Sequence, residues 1–255
     1  MNTSLAQPRQ NRSATESREP RLAVLIDADN TSPKWANAIF KEIATLGEAS
    51  VRRIYGDFSG QRLQKWKEKL ESHAVVPFQQ FAYTTGKNSS DIALVIDAMD
   101  LVHTGRFDGF VLVSSDSDFT RLASRIREQG LNVFGIGQEK TPEAFRKACK
   151  RFIFIENLFA EPEAAASGKS SKSSGAAMKK QPPSKAVPLI TAAMRSSDEE
   201  DWVSLGVIGS HIHESEPDFD SRTYGCAKLS DLLEKTGHFE VDREVSPVRA
   251  RLKRR

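Results

Sequence analysis

The apolar residues of this chain follow two alternating rhythms. Short continuous runs such as LAVLID at 22–27 and GFVLVSS at 109–115 suit central parallel strands covered on both faces. Between them the apolar positions take helical spacing, as in WANAIFKEIATLG at 35–47, which Asn30, Thr31 and Ser32 can cap and Pro33 can start. The same reading gives strands at 51–58, 75–83, 131–137 and 152–158, and helices at 62–73, 90–105, 119–130 and 141–149. Pro77 puts the third strand at an edge or an irregular position, because proline cannot donate to a ladder. Strand and helix in alternation predict an α/β fold with a doubly wound, mainly parallel sheet.

The alternation stops near residue 160. Residues 161–186 are almost entirely Ala, Ser, Gly, Lys and Pro and cannot bury enough apolar surface to offset their ordering entropy. They read as a flexible linker. Beyond it, helices at 187–197, 203–215 and 221–237 and a strand at 239–245 outline a small winged helix-turn-helix domain. The expected order is a disordered basic arm (1–20), an α/β domain (21–160), the linker (161–186), the winged helix (187–248) and a basic tail (249–255).

Composition narrows the class. With 255 residues, 38% hydrophobic and 28% charged, the chain has a soluble globular profile. No apolar run nears the ~20 residues that span a bilayer, and the first twenty residues lack the apolar core of a signal peptide. Cys149 and Cys226 are too few and too far apart for a disulfide framework or a thiolate metal cage. A cytoplasmic protein with no membrane partner is expected. The net charge of +3 hides a division: residues 1–21, 160–186 and 249–255 carry +2, +3 and +5, which leaves −7 for the remainder. Such tails can serve solubility alone, or mobile cations can attract a polyanion while folded carboxylates hold a metal.

In a sheet of this kind, function gathers at the carboxyl ends of the strands. Two of them run into acids, Asp27-Ala28-Asp29-Asn30 and Ser114-Ser115-Asp116-Ser117-Asp118. If these strands are neighbours, Asp27 and Asp116 converge, with Asp118 close behind. Asp91 lies in the first turn of the preceding helix, and Asp97 lies inside its apolar run IALVIDAM. Each acid also has a purely structural reading. Asp91 can serve the helix dipole, Asp97 can pair with an arginine, and Asp116 with Asp118 can cap a helix. Carboxylates driven together take up protons or bind a divalent cation. Hard oxygen donors favour Mg²⁺ or Mn²⁺ over zinc, and the histidines at 73, 103, 211, 213 and 238 show no zinc-ligand spacing. Carboxylate-bound Mg²⁺ suits phosphoryl chemistry. Neither GxGxxG nor a P-loop follows the first strand, which argues against a nucleotide-cofactor enzyme.

LAVLIDADN (22–30), GKNSSDIALVIDAMDL (86–101) and LVSSDSDFTRLASRIREQGLNVFGIG (112–137) together resemble the NYN domain, the PIN-like nuclease group also known from LabA-type bacterial proteins. PLITAAM (188–194), WVSLGVIGSHI (202–212), FDSRTYGCAKLSDLLEK (219–235) and FEV (239–241) resemble the OST-HTH or LOTUS domain. The resemblance implies a PIN-like, Rossmann-like α/β domain acting as a metal-dependent ribonuclease, joined to an RNA-binding winged helix. Position by position it implies a catalytic set of Asp27, Asn30, Asp91, Asp97, Asp116 and Asp118. Asp27, Asp91, Asp116 and Asp118 would hold Mg²⁺ or Mn²⁺, with Asp29 behind them. Lys87 and Ser115 would meet the RNA phosphates, although Lys87 is followed by Asn88-Ser89-Ser90 where family members often read Lys-Gly. Arg222, Tyr224 and Lys228 on the third C-terminal helix are candidate RNA contacts. The implied partner is RNA, single-stranded or structured, and the C-terminal domain offers a place for a second copy or a protein partner.

Two rival readings stay open. The acids could be structural, leaving a non-catalytic RNA-binding regulatory adaptor. Alternatively, Asp27-Ala28-Asp29-Asn30-Thr31 fits the DxDxT pattern of haloacid-dehalogenase-like phosphatases, with Asp27 as nucleophile. That reading leaves Asp91 and Asp97 unexplained.

Overall fold

The first apolar run becomes the middle of a six-stranded sheet. The structure is a computed structural model that describes residues 18–80, 89–159, 180–197 and 201–253. In chain order the first domain contains β1 (Arg21–Asp27), α1 (Ala36–Ile43), β2 (Glu48–Gly56), α2 (Gln64–Ser72), β3 (Val76–Gln79), α3 (Ser89–His103), β4 (Gly109–Val113), α4 (Thr120–Glu128), β5 (Asn132–Gly137), α5 (Glu143–Ala148) and β6 (Arg151–Phe154). The strands lie in the order β3-β2-β1-β4-β5-β6, and every pair is parallel.

Alternate residues of β1 feed opposite cores. Leu22, Val24 and Ile26 pack with Ile39 and Ile43 of α1 and Trp66 of α2. Ala23 and Leu25 pack with Leu94 and Ala98 of α3, Leu122 of α4 and Phe145 of α5. Each buried Leu or Ile contributes roughly 1.5–3 kcal/mol, so a strand covered on both faces has no polar side to spare. The doubly wound expectation holds, and Pro77 sits in β3 at the sheet edge.

The last strand is shorter than the apolar pattern of 152–158. β6 ends at Phe154, and Ile155–Phe159 turns into a 3-10 helix. Within that turn Asn157 is buried and donates its Nδ2 to Thr223 Oγ1 at 2.9 Å.

The C-terminal unit begins with a 3-10 turn at Pro183–Ala186 and continues with α6 (Val187–Arg195), β7 (Val203–Ser204), α7 (Leu205–Ser215), α8 (Leu229–Thr236), β8 (Phe239–Asp242) and β9 (Arg249–Leu252). Its antiparallel sheet has the order β7-β9-β8. Ile190, Ile208, Ile212, Leu232 and Phe239 form its core.

Two expectations change here. The helix read at 221–237 is split: Ser221–Tyr224 is a 3-10 turn, Gly225 takes a left-handed φ of 73°, and α8 starts only at Leu229. Of the segment read as a basic tail at 249–255, Arg249–Leu252 instead enters the sheet as β9. Ala250 points into the core, while Arg249 pairs with Asp242 at 3.0 Å and Arg251 with Glu240 at 2.7 Å. Those two cations are paired with acids of the wing.

Most of the expected N-terminal arm (1–17) and most of the expected linker (161–179) lie outside the described residues. The two domains touch. Arg222 makes a bidentate pair with Glu42 of α1 at 2.9 and 3.0 Å. Arg146 of α5 pairs with Asp218, and the Phe152 amide of edge strand β6 donates to the Pro217 carbonyl at 2.8 Å. A cavity of about 460 Å³ lies at this contact, lined among others by Phe154, Phe219 and Tyr224. Among the described residues no helix is long and apolar enough to cross a membrane.

Candidate active site

The strand order reverses between β1 and β4, since β1 leads on to β2 at one side while β4 lies at the other. Loops leaving the two strands diverge there and open a crevice at their carboxyl ends. Asp27 is the last residue of β1. Ile26 lies opposite Val113, the last residue of β4, so Ser114 emerges beside Asp27.

Asp27 is 1% exposed, yet both carboxylate oxygens have donors. Oδ1 accepts the amides of Asp29 at 3.0 Å and Asn30 at 3.2 Å. Oδ2 accepts Asn30 Nδ2 and Ser114 Oγ, each at 2.7 Å. Burial raises its pKa, and these hydrogen bonds to the charged form pull against that rise. The Ser114 oxygen in turn accepts the Asp116 amide at 3.0 Å, so one hydroxyl joins the acids of the two strands.

Asp116 caps the 3-10 turn Ser117–Phe119 through its Oδ1, which accepts the Asp118 amide at 2.9 Å. Buried Phe119 anchors that turn and leaves Asp118 exposed at the mouth. Ser115 faces the neighbouring strand, where its Oγ accepts the Gln138 amide at 2.9 Å.

Asp91, in the first turn of α3, registers the whole group. Its pKa is pushed up to about 6, first by burial and then by the charges of Asp27, Asp116, Asp29 and Asp118. Carboxylates from two loops and a helix therefore act on one another. Among the described residues, however, no three His, Cys, Asp or Glu groups are gathered as metal ligands are.

Asp97 does not join this group. Six residues along α3 it stands ~9 Å further up the axis, where it pairs with Arg53 and accepts the Tyr55 hydroxyl. Burial first and then this carboxylate push the Tyr55 hydroxyl's pKa up. The salt-bridge reading of Asp97 is the one the geometry favours.

The expected RNA contacts are scattered. Lys87 lies outside the described residues. Arg222 is consumed by Glu42 and Asp220. Tyr224 is half-buried against Phe219, with ring centroids 5.8 Å apart. Lys228 is exposed just before α8. Arg222 and Tyr224 are thus part of the contact between the domains, a role with no local signal because Arg222 and Glu42 are 180 positions apart.

Sequence reasoning also missed two side chains at the acidic mouth. Ser90 donates its hydroxyl to Asp29 Oδ2 at 3.1 Å, and Arg62 pairs with Asp29 Oδ1. Ser90 was detectable as a hydroxyl adjoining the helix acid; nothing local marks Arg62.

Comparison with known proteins fits this geometry. The NYN domain model matches residues 21–156, and the OST-HTH/LOTUS domain model matches residues 179–248. No curated protein matches the chain. Among solved structures, a protein of unknown function from Vibrio parahaemolyticus is 17% identical, with 57% of this chain and 99% of that one covered and a TM-score of 0.50. It shares the fold. An uncharacterized protein from Nitrosomonas europaea is 33% identical over 36% of this chain and 92% of its own, with a TM-score of 0.25. The WlbA dehydrogenase from Bordetella pertussis is 14% identical over 71% of this chain and 41% of its own, with a TM-score of 0.33.

Proposed function

Because the chain belongs to the NYN domain family and carries an OST-HTH/LOTUS domain behind it, we propose that it is a metal-dependent ribonuclease that hydrolyses RNA phosphodiester bonds. The NYN domain is a nuclease-type module and the OST-HTH domain an RNA-binding one. The observation that carries the reading is the placement of Asp27, Asp29, Asp116 and Asp118 around Asp91 at the β1–β4 crevice, where burial first and then their charges push its pKa up to about 6.

The donor set suits a hard divalent cation. Asp91, Asp116 and Asp118 offer carboxylate oxygens, and their repulsion is relieved by positive charge. Asp27 differs in that both of its oxygens are already filled, so it serves as fixed negative charge beneath the pocket. Since no three of the described acids close around one point, Mg²⁺ or Mn²⁺ would keep water among its ligands, as small hard cations commonly do. Such an ion lowers the pKa of bound water and neutralises charge on the scissile phosphate.

The chain's own groups do the positioning. Asn30 and Ser114 hold Asp27 in a single orientation, and Ser114 ties the Asp116 loop to it. Asp91, whose pKa is raised in the metal-free protein, would give up its proton when a cation is bound. The C-terminal domain would supply RNA affinity, with exposed Lys228 as its remaining candidate contact. A cytoplasmic location accords with these roles.

The phosphatase reading is disfavoured, because a nucleophile must be accessible and Asp27 is enclosed by four donors. Asp116→Asn should lower cleavage of labelled RNA by at least ~100-fold, the scale of a lost electrostatic contact in an active site, while RNA binding persists. Equal, metal-independent products from wild type and variant would refute the ribonuclease. RNA binding with no metal-dependent cleavage by the wild type would leave the adaptor.

A further inference from the structure

The acidic crevice raises a problem for an RNA substrate, because every phosphate that enters meets Asp29, Asp91, Asp116 and Asp118 above the buried Asp27. A cation on the protein side is needed at the mouth. Arg62 is placed there. It lies in the turn between β2 and α2, at the carboxyl end of the strand adjoining β1, and its guanidinium pairs with Asp29.

The position is set by packing and not by the ion pair. Leu63, next in the chain, is buried, and so is Trp66 one turn on. The Trp66 indole donates to the Thr31 carbonyl at 3.1 Å, which fastens α2 to the loop that follows Asp27. Gly56 makes the close approach possible. A Cβ there would stand 2.6 Å from Leu63 Cδ1 and 3.0 Å from Ala28 Cβ, so a larger residue would push the Leu63 side chain and crowd the Ala28-Asp29 loop. The arginine is therefore held over the acids by a rigid seam.

Its pairing, by contrast, is loosely held. The Arg62 side chain is 70% exposed, and exposed pairs of this kind contribute about 0–1 kcal/mol. Asp29 would not be orphaned by its departure, since Ser90 Oγ also donates to it at 3.1 Å. A guanidinium fork matches a phosphate as well as it matches a carboxylate. We infer that Arg62 is a phosphate-binding residue of this site, resting on Asp29 in the free protein and passing to a backbone phosphate when RNA enters the crevice. The inference rests on the ribonuclease reading for its substrate class, but its test does not need turnover.

The test is the salt dependence of binding of a labelled single-stranded RNA to the full chain in EDTA, followed by fluorescence anisotropy. Each phosphate contact contributes about 0.7 to the slope of log K against log salt for single strands. Arg62→Gln should reduce that slope by about 0.7 with an unchanged circular dichroism spectrum, and Arg62→Lys, which keeps the charge, should restore it. A purely structural pair would instead lower thermal stability and leave the slope alone. An Arg62→Gln protein whose slope and affinity equal those of the wild type overturns the proposal. If the slope changes as stated while no metal supports cleavage, Arg62 stands and the ribonuclease reading falls.

Discussion

Ser114 donates to Asp27 at 2.7 Å across the boundary between β1 and β4, and the same oxygen receives the Asp116 amide at 3.0 Å. One hydroxyl thereby sets the relative position of two acids 89 residues apart in the chain. Ser114→Ala leaves Asp27 buried with a donor missing and the Asp116 amide unpaired. It should cost about 1–3 kcal/mol of stability, the usual penalty for an orphaned buried group, measurable by urea unfolding. Cleavage should fall as the Asp116 loop loses its tether. An unchanged unfolding midpoint together with full activity would contradict this role.

Asp91 predicts a pH dependence in metal-free buffer. Its folded pKa of about 6 lies above the ordinary aspartate value of 3.8, so between those values the folded state binds more protons than the unfolded one. Stability attributable to Asp91 is therefore fully present below pH 4 and is lost as pH rises through 6. Asp91→Asn removes the penalty and should raise the melting temperature at pH 7.5 but not at pH 4. Calorimetry in the presence of a chelator provides the check.

A divalent cation should reverse that penalty in the wild type. Saturation at a hundred times the dissociation constant stabilises by about 2.7 kcal/mol. Manganese should therefore raise the melting temperature of the wild type at pH 7.5. The gain should shrink in Asp91→Asn and in Asp116→Asn, which offer the ion one carboxylate fewer. Identical shifts in all three proteins would place the metal elsewhere.

Glu42 and Arg222 predict how the two domains respond to a broken contact. Glu42→Ala leaves Arg222 its pair with Asp220 but removes the bidentate tie to α1. The loss should amount to about 1–3 kcal/mol of docking free energy, visible as an increased radius of gyration in small-angle scattering, larger at high salt. Scattering curves that superpose on wild type would show that the Phe152–Pro217 and Asn157–Thr223 bonds suffice.

What the sequence revealed follows physical range. Asp27 was legible because it closes a continuous apolar run and Asp116 because it follows another by three residues, and a parallel sheet delivers such ends to one side. Pro77 marked its edge through a missing donor. Asp97 could be read either way: an acid inside an apolar helical run needs a partner, but that Arg53 and Tyr55 supply it depends on strand β2 packing beneath α3. Arg249-Ala250-Arg251-Leu252 carried the two-residue rhythm of a strand, masked by its charge. Arg62 and Arg222 had no local signature, because their partners are set by tertiary packing.

The bond from the Phe152 amide to the Pro217 carbonyl has a practical outcome for anyone dividing this protein. β6 is the outer strand of a parallel sheet, and bare outer strands invite pairing with other chains. At the opposite border, Pro77 already withholds a donor. A fragment ending at Phe159 would uncover β6 together with the apolar ring of Phe154, giving a product prone to self-association and poor yield. The C-terminal domain is thus a shield for its neighbour's fold, whatever it recognises in RNA.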